Sequence, residues 1–164
     1  MTIEWRFARF ADLSPGEIHD LYRLRVGVFV VEQNCVFQDL DGLDPQCWHL
    51  LGHSNGDLVA YARFLPPGLK YDEPSIGRVT TAQSARRTGL GRALMREALE
   101  RAGRLWPGLA VRIGAQARLQ RFYEDFGFAK ASAPYDEDGI PHIEMVRAAP
   151  AAKTRRGRVR QTEE

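Results

Sequence analysis

One stretch of the chain decides its fold. The run Ser75-Ile76-Gly77-Arg78-Val79-Thr80-Thr81 predicts a buried strand, and the loop Arg86-Arg87-Thr88-Gly89-Leu90-Gly91-Arg92 follows a few residues later. Beyond the loop, Leu94, Ala98 and Ala102 recur at helical spacing and predict an amphipathic helix. The pattern is a strand, a glycine-containing turn and a helix, which is typical of an α/β protein.

The glycines at this turn favour a phosphate ligand. Gly89 and Gly91 let the backbone approach a ligand closely and adopt conformations that other residues avoid. The first amides of the following helix have no partners within the helix and carry the positive end of its dipole. Arg86, Arg87 and Arg92 add guanidinium groups, which suit the geometry of phosphate. The sequence thus predicts a phosphate site at this turn.

The known kinds of phosphate loop differ in the residues that they require. A Walker loop ends in Gly-Lys-Ser/Thr, which this stretch lacks, and a dinucleotide fingerprint has a third glycine where Leu94 stands. A structural turn with solvated arginines is the alternative that needs no ligand. The remaining pattern, Arg-x-x-Gly-x-Gly, resembles the acetyl-coenzyme A pyrophosphate loop of the GNAT N-acetyltransferases. The resemblance implies a cofactor loop formed by Arg86, Arg87, Thr88, Gly89, Leu90, Gly91 and Arg92.

Residues 116–128 resemble the second signature of the same family. There an amide side chain opens a helix and a tyrosine follows seven residues later, which are Gln116 and Tyr123 here. A Gly-Phe pair ends the helix, and Gly127 is a natural cap at that end. The alternative for Tyr123 is a core aromatic whose hydroxyl finds a partner nearby. The helix is also predicted by its own apolar face, which consists of Leu119, Phe122, Tyr123 and Phe126.

Further segments resemble one subgroup of that family, the ElaA-like acetyltransferases. Residues 30–35 and 39–44, followed by His49, resemble the N-terminal signature of the subgroup, and residues 138–145 resemble its C-terminal signature. The resemblance covers residues 3–147. It implies an α/β protein with the GNAT fold, in which a mixed central sheet of about seven strands has helices on both faces.

Local patterns agree with the expected order β-α-β-β-β-α-β-α-β-β. Ser14-Pro15-Gly16-Glu17 is a capping box with proline at the first helical position. The helix that it begins is expected to carry Ile18, Leu21 and Leu24 inward and to continue through Val28 and Phe29. Asn55-Gly56 between two apolar runs predicts a tight β-hairpin.

The charges of the chain are unevenly distributed. The formal charge of the whole chain is +2, but residues 148–164 hold five basic and two acidic side chains. Residues 1–147 keep 18 basic and 19 acidic side chains, a formal charge of −1, so this part is not a basic nucleic-acid platform. We therefore predict a GNAT domain over 1–147 and a disordered basic tail over 148–164. A tail of this kind either is idle or contacts nucleic acid or acidic partners.

Composition also bears on the cellular location of the protein and on whether it binds a metal. The sequence has no apolar run near 18 residues and no secretory leader pattern, which predicts a cytoplasmic protein that does not enter membranes. Cys35 and Cys47 are expected to be reduced thiols buried in the core. Cys47, His49 and His53 would share one face of a strand, but ligands spaced along one strand lie far apart. No metal is predicted.

The resemblance also implies a reaction. In the family the fourth and fifth strands splay apart, and the pantetheine arm of acetyl-coenzyme A contacts the fourth strand, here at Val79 and Thr81. A backbone amide polarises the thioester, and an amine attacks it directly without an acyl-enzyme. Tyr123 is expected to protonate the departing thiolate, while His142 and Glu32 are the alternative bases for the amine.

The acceptor side of the site is less defined by sequence. Asp41 and His49 are expected either to line the acceptor pocket or to fix the loop that carries them. The expected acceptor is a small-molecule or protein amine, nucleic acid and membrane are not expected partners, and a homodimer is left open. The alternative function is a module of the same fold that binds acyl-coenzyme A as a sensor without transferring the acyl group.

Overall fold

The chain folds around one mixed sheet of eight strands, as a computed structural model that describes residues 2–151 shows. All neighbouring strands are antiparallel except β4 and β5, which are parallel. The spatial order is β1-β2-β3-β4-β5-β8-β6, with β7 also paired to β8. The strands are β1 (Glu4–Arg9), β2 (Trp48–Ser54), β3 (Asp57–Leu65), β4 (Ser75–Thr81), β5 (Val111–Gln116), β6 (Phe128–Lys130), β7 (Tyr135–Glu137) and β8 (Ile140–Arg147).

Helices cover both faces of the sheet, as predicted. The helices are α1 (Pro15–Val26), α2 (Leu90–Leu105) and α3 (Gln120–Glu124). Successive residues of a strand point to opposite faces, so Tyr61 of β3 packs with Leu21 of α1. Ala62, the next residue of β3, belongs to the larger core on the other face, together with Leu94 of α2. No helix among residues 2–151 is long and apolar enough to cross a membrane.

The observed sheet has one strand more than the expected order. The extra strand is β6, whose three residues pair with Met145, Val146 and Arg147 of β8. A strand this short shows too little alternation to be detected from sequence. Residues 148–151 have no helix or strand, and the remainder of the predicted tail, 152–164, lies outside the described residues.

The start of α1 and the β2–β3 turn form as predicted. The Ser14 hydroxyl accepts a hydrogen bond from the Glu17 amide, and the Glu17 carboxylate accepts one from the Ser14 amide, which completes the capping box. Asn55 and Gly56 both have positive φ, 50° and 83°, as a two-residue hairpin of this type requires. Both predictions are confirmed.

The end of α1 differs from the prediction. The regular helix ends at Val26, and residues Gly27–Glu32 form a wider π-helical segment instead of continuing through Phe29. Such segments are rare and occur often at functional sites, because the extra residue in the turn re-aims the side chains that follow. Here the wider turn brings Val28, Phe29 and Glu32 to the wall of the central cavity.

A buried charge cluster ties α1 to the sheet. Arg25 is completely buried, with its Nε 3.0 Å from Asp39 Oδ2 and its Nη1 2.7 Å from Asp44 Oδ1. Arg63 of β3 shares the same Asp44 carboxylate through Nη1 at 3.1 Å. Asp39 and Asp44 belong to the connection between the π-helical segment and β2, where the regular structure is limited to the short 3-10 helix Asp44–Gln46. Ion pairs therefore replace secondary structure in holding this connection in place.

We predict that Arg25→Met lowers the free energy of unfolding by about 3–5 kcal/mol, because two buried carboxylates lose their main partner. Arg23→Met is the matched control: Arg23 is exposed on the same helix, so its replacement should change stability by less than about 0.5 kcal/mol. Urea unfolding of both variants measures the difference. Equal stability of the two variants would contradict a structural role for the cluster.

Candidate active site

The cavity of the molecule lies where two neighbouring strands separate. Strands β4 and β5 pair only at Ser75 and Arg112 and then diverge, which confirms the predicted splay. The gap between them opens into a cavity of about 840 Å³, within the size range of small-molecule sites. Residues of both strands form its walls, including Val79 and Thr81 of β4 and Gln116 of β5.

Strand β4 carries a bulge in the cavity wall. Its pairing with β3 shifts so that Arg78 and Val79 stand opposite the single residue Ala62. Arg78 has a φ of 50°, which is unusual for a residue other than glycine. A bulge leaves one residue out of the ladder, so backbone groups at Arg78–Val79 are available to a ligand in the cavity.

The glycine loop joins β4 to α2 in a form suited to an anion. Gly89 has a φ of 81° and stands at the N-cap of α2, where no side chain caps the helix. The amides of the first turn therefore keep their hydrogen-bonding capacity for a ligand. A side chain at Gly91 would come no closer than 4.0 Å to Phe122, so packing does not require a glycine there. Gly91 is the second residue of α2 and leaves the backbone open to close approach by a ligand, so the loop fits a bound pyrophosphate.

The other residues of the loop have different surroundings. The Thr88 hydroxyl donates to the Ala85 carbonyl at 2.6 Å, while Leu90 is buried in the core. Arg87 is exposed. Arg92 turns to Asp125, with 2.9 Å between Nη2 and Oδ2. Of the predicted phosphate arginines, Arg86 alone is on the cavity wall.

Arg86 is occupied by one of the two predicted bases. The carboxylate of Glu32 makes a two-pronged ion pair with its guanidinium, with 2.7 Å between Oε2 and Nη2. The hydrogen bond from Arg86 lowers the pKa of Glu32. A carboxylate with a lowered pKa accepts a proton poorly, which disfavours Glu32 as the base in this arrangement. The pair also joins the π-helical segment to the residues that follow β4, across the cavity.

Tyr123 lies at the end of the cavity near the loop. It is 7% exposed and packs edge-to-face against Phe122 and Phe128. Burial raises the pKa of Tyr123 to about 12, and nearby Arg118 acts in the opposite direction. The phenol is therefore protonated at neutral pH and available as a proton donor. Gln116, which also lines the cavity, donates to Gln33 Oε1 at 3.2 Å.

His142 also lines the cavity, on β8 next to Gln116 of β5. One ring nitrogen, Nδ1, is 2.7 Å from the Ile140 carbonyl, and the other, Nε2, is 3.2 Å from Glu137 Oε2. Both neighbours are hydrogen-bond acceptors, so each ring nitrogen is engaged within the protein. An incoming ammonium group could reach Nε2 only by replacing it as the partner of the Glu137 carboxylate.

The two predicted acceptor residues have different surroundings. Asp41 lines the cavity, and both of its carboxylate oxygens accept from Arg63 at 2.8 Å. Burial alone would raise the pKa of Asp41, but the hydrogen bonds from Arg63 and Leu43 outweigh it and lower the pKa. His49 is completely buried away from the cavity wall, between the Tyr61 hydroxyl at 2.7 Å and the Asp44 carbonyl at 3.0 Å. Its position suits fixing the connection, the second of the two roles expected for it.

The cysteines lie among the buried residues, as expected. Cys35 and Cys47 are both free thiols, and their sulfurs donate to the carbonyls of Asp138 and Leu43 at 3.2 Å. Burial raises the pKa of Cys47 to about 11, which disfavours the nucleophilic thiolate. Among residues 2–151, no group of three or more His, Cys, Asp and Glu side chains is placed to hold a metal ion.

Some cavity residues were missed by sequence analysis. They are Arg63, Lys70, Arg78, Arg118 and Glu137, which all line the cavity. Each is a common surface residue type in an unremarkable local pattern, so no sequence signal distinguished them. Their position depends on the loops that fold across the sheet.

Comparisons with known proteins agree with this geometry. A profile of the acetyltransferase (GNAT) domain matches residues 37–149. Protein ElaA of Escherichia coli strain K12 is 45% identical over 147 residues, which cover 88% of this chain and 96% of that protein. An acyl-CoA N-acyltransferase from Pseudomonas aeruginosa has a crystal structure that matches with a TM-score of 0.86 at 44% identity, covering 90% of this chain and 100% of that one. For the crystal structure of E. coli ElaA the TM-score is 0.84 at 44% identity, covering 89% and 99%.

The chain therefore belongs to the GNAT acetyltransferase family. Its fold, glycine loop and splayed strands are those of an acyltransferase of this class. The identity to ElaA extends over nearly the whole length of both proteins and places the chain in the ElaA-like group.

We predict that Gly89→Ala lowers the free energy of unfolding by about 1 kcal/mol, because an L side chain at this left-handed N-cap is strained. Gly103→Ala is the control on the same helix. Nothing lies within 4 Å of a side chain added at Gly103, and the change should stabilise the helix by about 0.5–1 kcal/mol. Thermal unfolding compares the two. Stabilisation by both substitutions would show that the turn does not depend on glycine.

Proposed function

We propose that this protein is an N-acetyltransferase that transfers the acetyl group of acetyl-coenzyme A to an amine by direct attack. The observation that carries the proposal is the meeting of Tyr123, His142 and the β4 bulge on one cavity beside the glycine loop. Membership of the GNAT family supports an acyl-coenzyme A donor. The proposed donor-binding residues are those expected from the sequence: Val79, Thr81, Arg86, Arg87, Thr88, Gly89, Leu90, Gly91, Arg92 and Gln116.

The loop and β4 would orient the donor. The first-turn amides of α2 bind its pyrophosphate, and the pantetheine arm lies in the gap between β4 and β5. The bulge at Arg78–Val79 supplies a backbone amide for the thioester oxygen, where negative charge develops as the amine attacks. Because the strand holds this amide in place before the reaction, little reorganisation is needed.

Proton transfers by two residues complete the reaction. His142 takes a proton from the ammonium group of the acceptor through Nε2, once that group has displaced Nε2 from the Glu137 carboxylate. The nitrogen then forms a bond to the acyl carbon and releases a second proton to water, the carbon–sulfur bond breaks, and the sulfur leaves with its electron pair. Tyr123 donates a proton to that sulfur. Its pKa of about 12 makes this step uphill for a thiol with a pKa near 8.5, so Arg118, which lowers the pKa of Tyr123, assists it.

We predict that acetyl-coenzyme A at about a hundred times its dissociation constant stabilises the fold by about 2.7 kcal/mol. Gly89→Glu should abolish the effect, because it places a carboxylate where the pyrophosphate binds. Gly103→Glu makes the same chemical change near the other end of α2 and should preserve it. Thermal shift assays on the three proteins measure this. Full protection of Gly89→Glu would refute the loop assignment.

We predict that Tyr123→Phe lowers kcat by roughly a hundredfold, the usual contribution of a positioned proton donor. The ring is retained, so packing and the affinity for acetyl-coenzyme A should stay close to normal. Tyr22→Phe is the matched control, because the pKa of Tyr22 is also raised to about 12 but its hydroxyl bonds Asp44 away from the cavity.

Release of the coenzyme A thiol in the presence of an amine panel measures both variants. Normal turnover in a folded Tyr123→Phe protein would exclude the proposed acid. Donor binding without turnover on any amine, in the unsubstituted protein, would instead indicate the sensor function.

A further inference from the structure

Lys70 lies on the wall of the proposed active site without a carboxylate partner. Two arginines on the same cavity wall are ion-paired. Arg63 pairs with Asp41, and Arg78 pairs with Asp39 at 2.8 Å. Among the described residues, no carboxylate lies within ion-pair distance of the Lys70 ammonium. Lys70 precedes β4 and Arg86 follows it, so roughly 20 Å of strand separates this cation from the proposed phosphate site.

Three hydrogen-bond donors converge beside β5. A side chain added at Gly114 would lie 3.0 Å from the Tyr71 hydroxyl, 3.1 Å from the Tyr135 hydroxyl and 3.9 Å from Lys70 Nζ. The absence of a side chain at Gly114 is therefore what lets these groups approach the strand. Gly114 and Lys70 both line the same cavity as the proposed catalytic groups.

In this donor cluster Tyr71 is half-buried, whereas Lys70 and Tyr135 are exposed. Lys70 is exposed along part of its length, yet burial lowers the pKa of its ammonium. Burial also raises the pKa of both Tyr71 and Tyr135. A partly desolvated cation without a counterion is unfavourable, and a carboxylate at this point would form charge-assisted hydrogen bonds with it.

A negative charge, the carboxylate of Glu137, lies in the same part of the cavity as Lys70. Glu137 attracts Lys70 at a distance, but its carboxylate is engaged by His142. Tyr135 connects the two groups, since its ring lies 6.0 Å from that of His142, centroid to centroid. This side of the cavity therefore presents a negative group, Glu137 with His142, and a positive group, Lys70. An amine alone would satisfy only the first of these groups.

We propose that the acceptor is an amine that also carries a carboxylate, which Lys70 binds at the cavity wall. The inference rests on the proposed acetyltransferase function and specifies its acceptor. The carboxylate belongs either to a free amino acid or to an acidic residue of a peptide, since both offer the same group to the ammonium. Lys70 acts here as a specificity residue and takes no part in the bond changes.

Matched acceptors test the proposal on the full chain. 5-Aminopentanoate is compared with pentylamine, and β-alanine with its amide, with thiol release as the readout. We expect kcat/KM to be at least tenfold higher for the carboxylate member of each pair. A peptide with an acidic residue beside its free N-terminus, compared with its amidated analogue, distinguishes a peptide acceptor from a free amino acid. Equal rates within every pair would overturn the proposal while leaving the acetyltransferase function in place.

Lys70→Met should remove the preference. It should lower kcat/KM at least tenfold for the acceptors that carry a carboxylate and leave kcat/KM within about twofold for those that lack one. Lys70→Arg should retain most of it, because the positive charge remains. Lys130→Met, at an exposed residue of β6 outside the cavity wall, is the control and should change neither class. An equal loss for both classes in Lys70→Met would indicate a structural role and contradict the proposal.

If no amine is acetylated, binding measurements test the carboxylate site independently of the acetyltransferase function. In protein saturated with coenzyme A, 5-aminopentanoate should raise Tm, whereas pentylamine should not. The shift should disappear in Lys70→Met. This result would support a carboxylate site at Lys70 even if the protein acetylated no amine. Absence of any difference between the two probes would overturn the carboxylate site.

Discussion

The buried guanidinium of Arg25 is the constraint on which the rest of the structure depends. A charge taken out of water on a helix must be matched by opposite charge at hydrogen-bonding distance, or it costs several kcal/mol. Asp39 and Asp44 provide that match. They lie on a connection whose regular structure, after the π-helical segment, is limited to the short 3-10 helix Asp44–Gln46, so its path over the sheet follows from where the guanidinium sits. Ion pairs thus determine the path of this connection more than the backbone propensities of its residues do.

The same cluster positions part of the proposed active site. Asp44 and Asp41 both hold Arg63, and Asp39 holds Arg78 beside the β4 bulge. One wall of the cavity is therefore built from residues whose charges cancel one another. Lys70 differs because it lies outside this cancellation, and its free charge can respond to a ligand. The ion-paired arginines thus have a structural role in the wall, whereas Lys70 is available to recognise a ligand.

Elements specified by contacts within a few residues were predictable. The capping box of α1, the Asn55-Gly56 hairpin and the glycine turn before α2 all formed as expected. The splay of β4 and β5 was predicted from family resemblance and is seen in the structure. The π-helical segment was not predicted, because the apolar spacing through Phe29 suits a regular helix equally well. The roles proposed for Tyr123 and His142 stay predictions, although both residues reach the cavity.

The sequence by itself determined the family, the order of most elements and the turn that is suited to phosphate, because each of these depends on residues close together along the chain. The tertiary structure alone decided which side chains meet. Glu32 was a candidate base by sequence, but it faces Arg86, which lies 54 residues away, and the ion pair lowers its pKa. His49 was a candidate acceptor contact, but folding buries it between Tyr61 and the Asp44 carbonyl. Protonation and accessibility depend on neighbours brought together by the sheet, and the linear order of residues does not specify those neighbours.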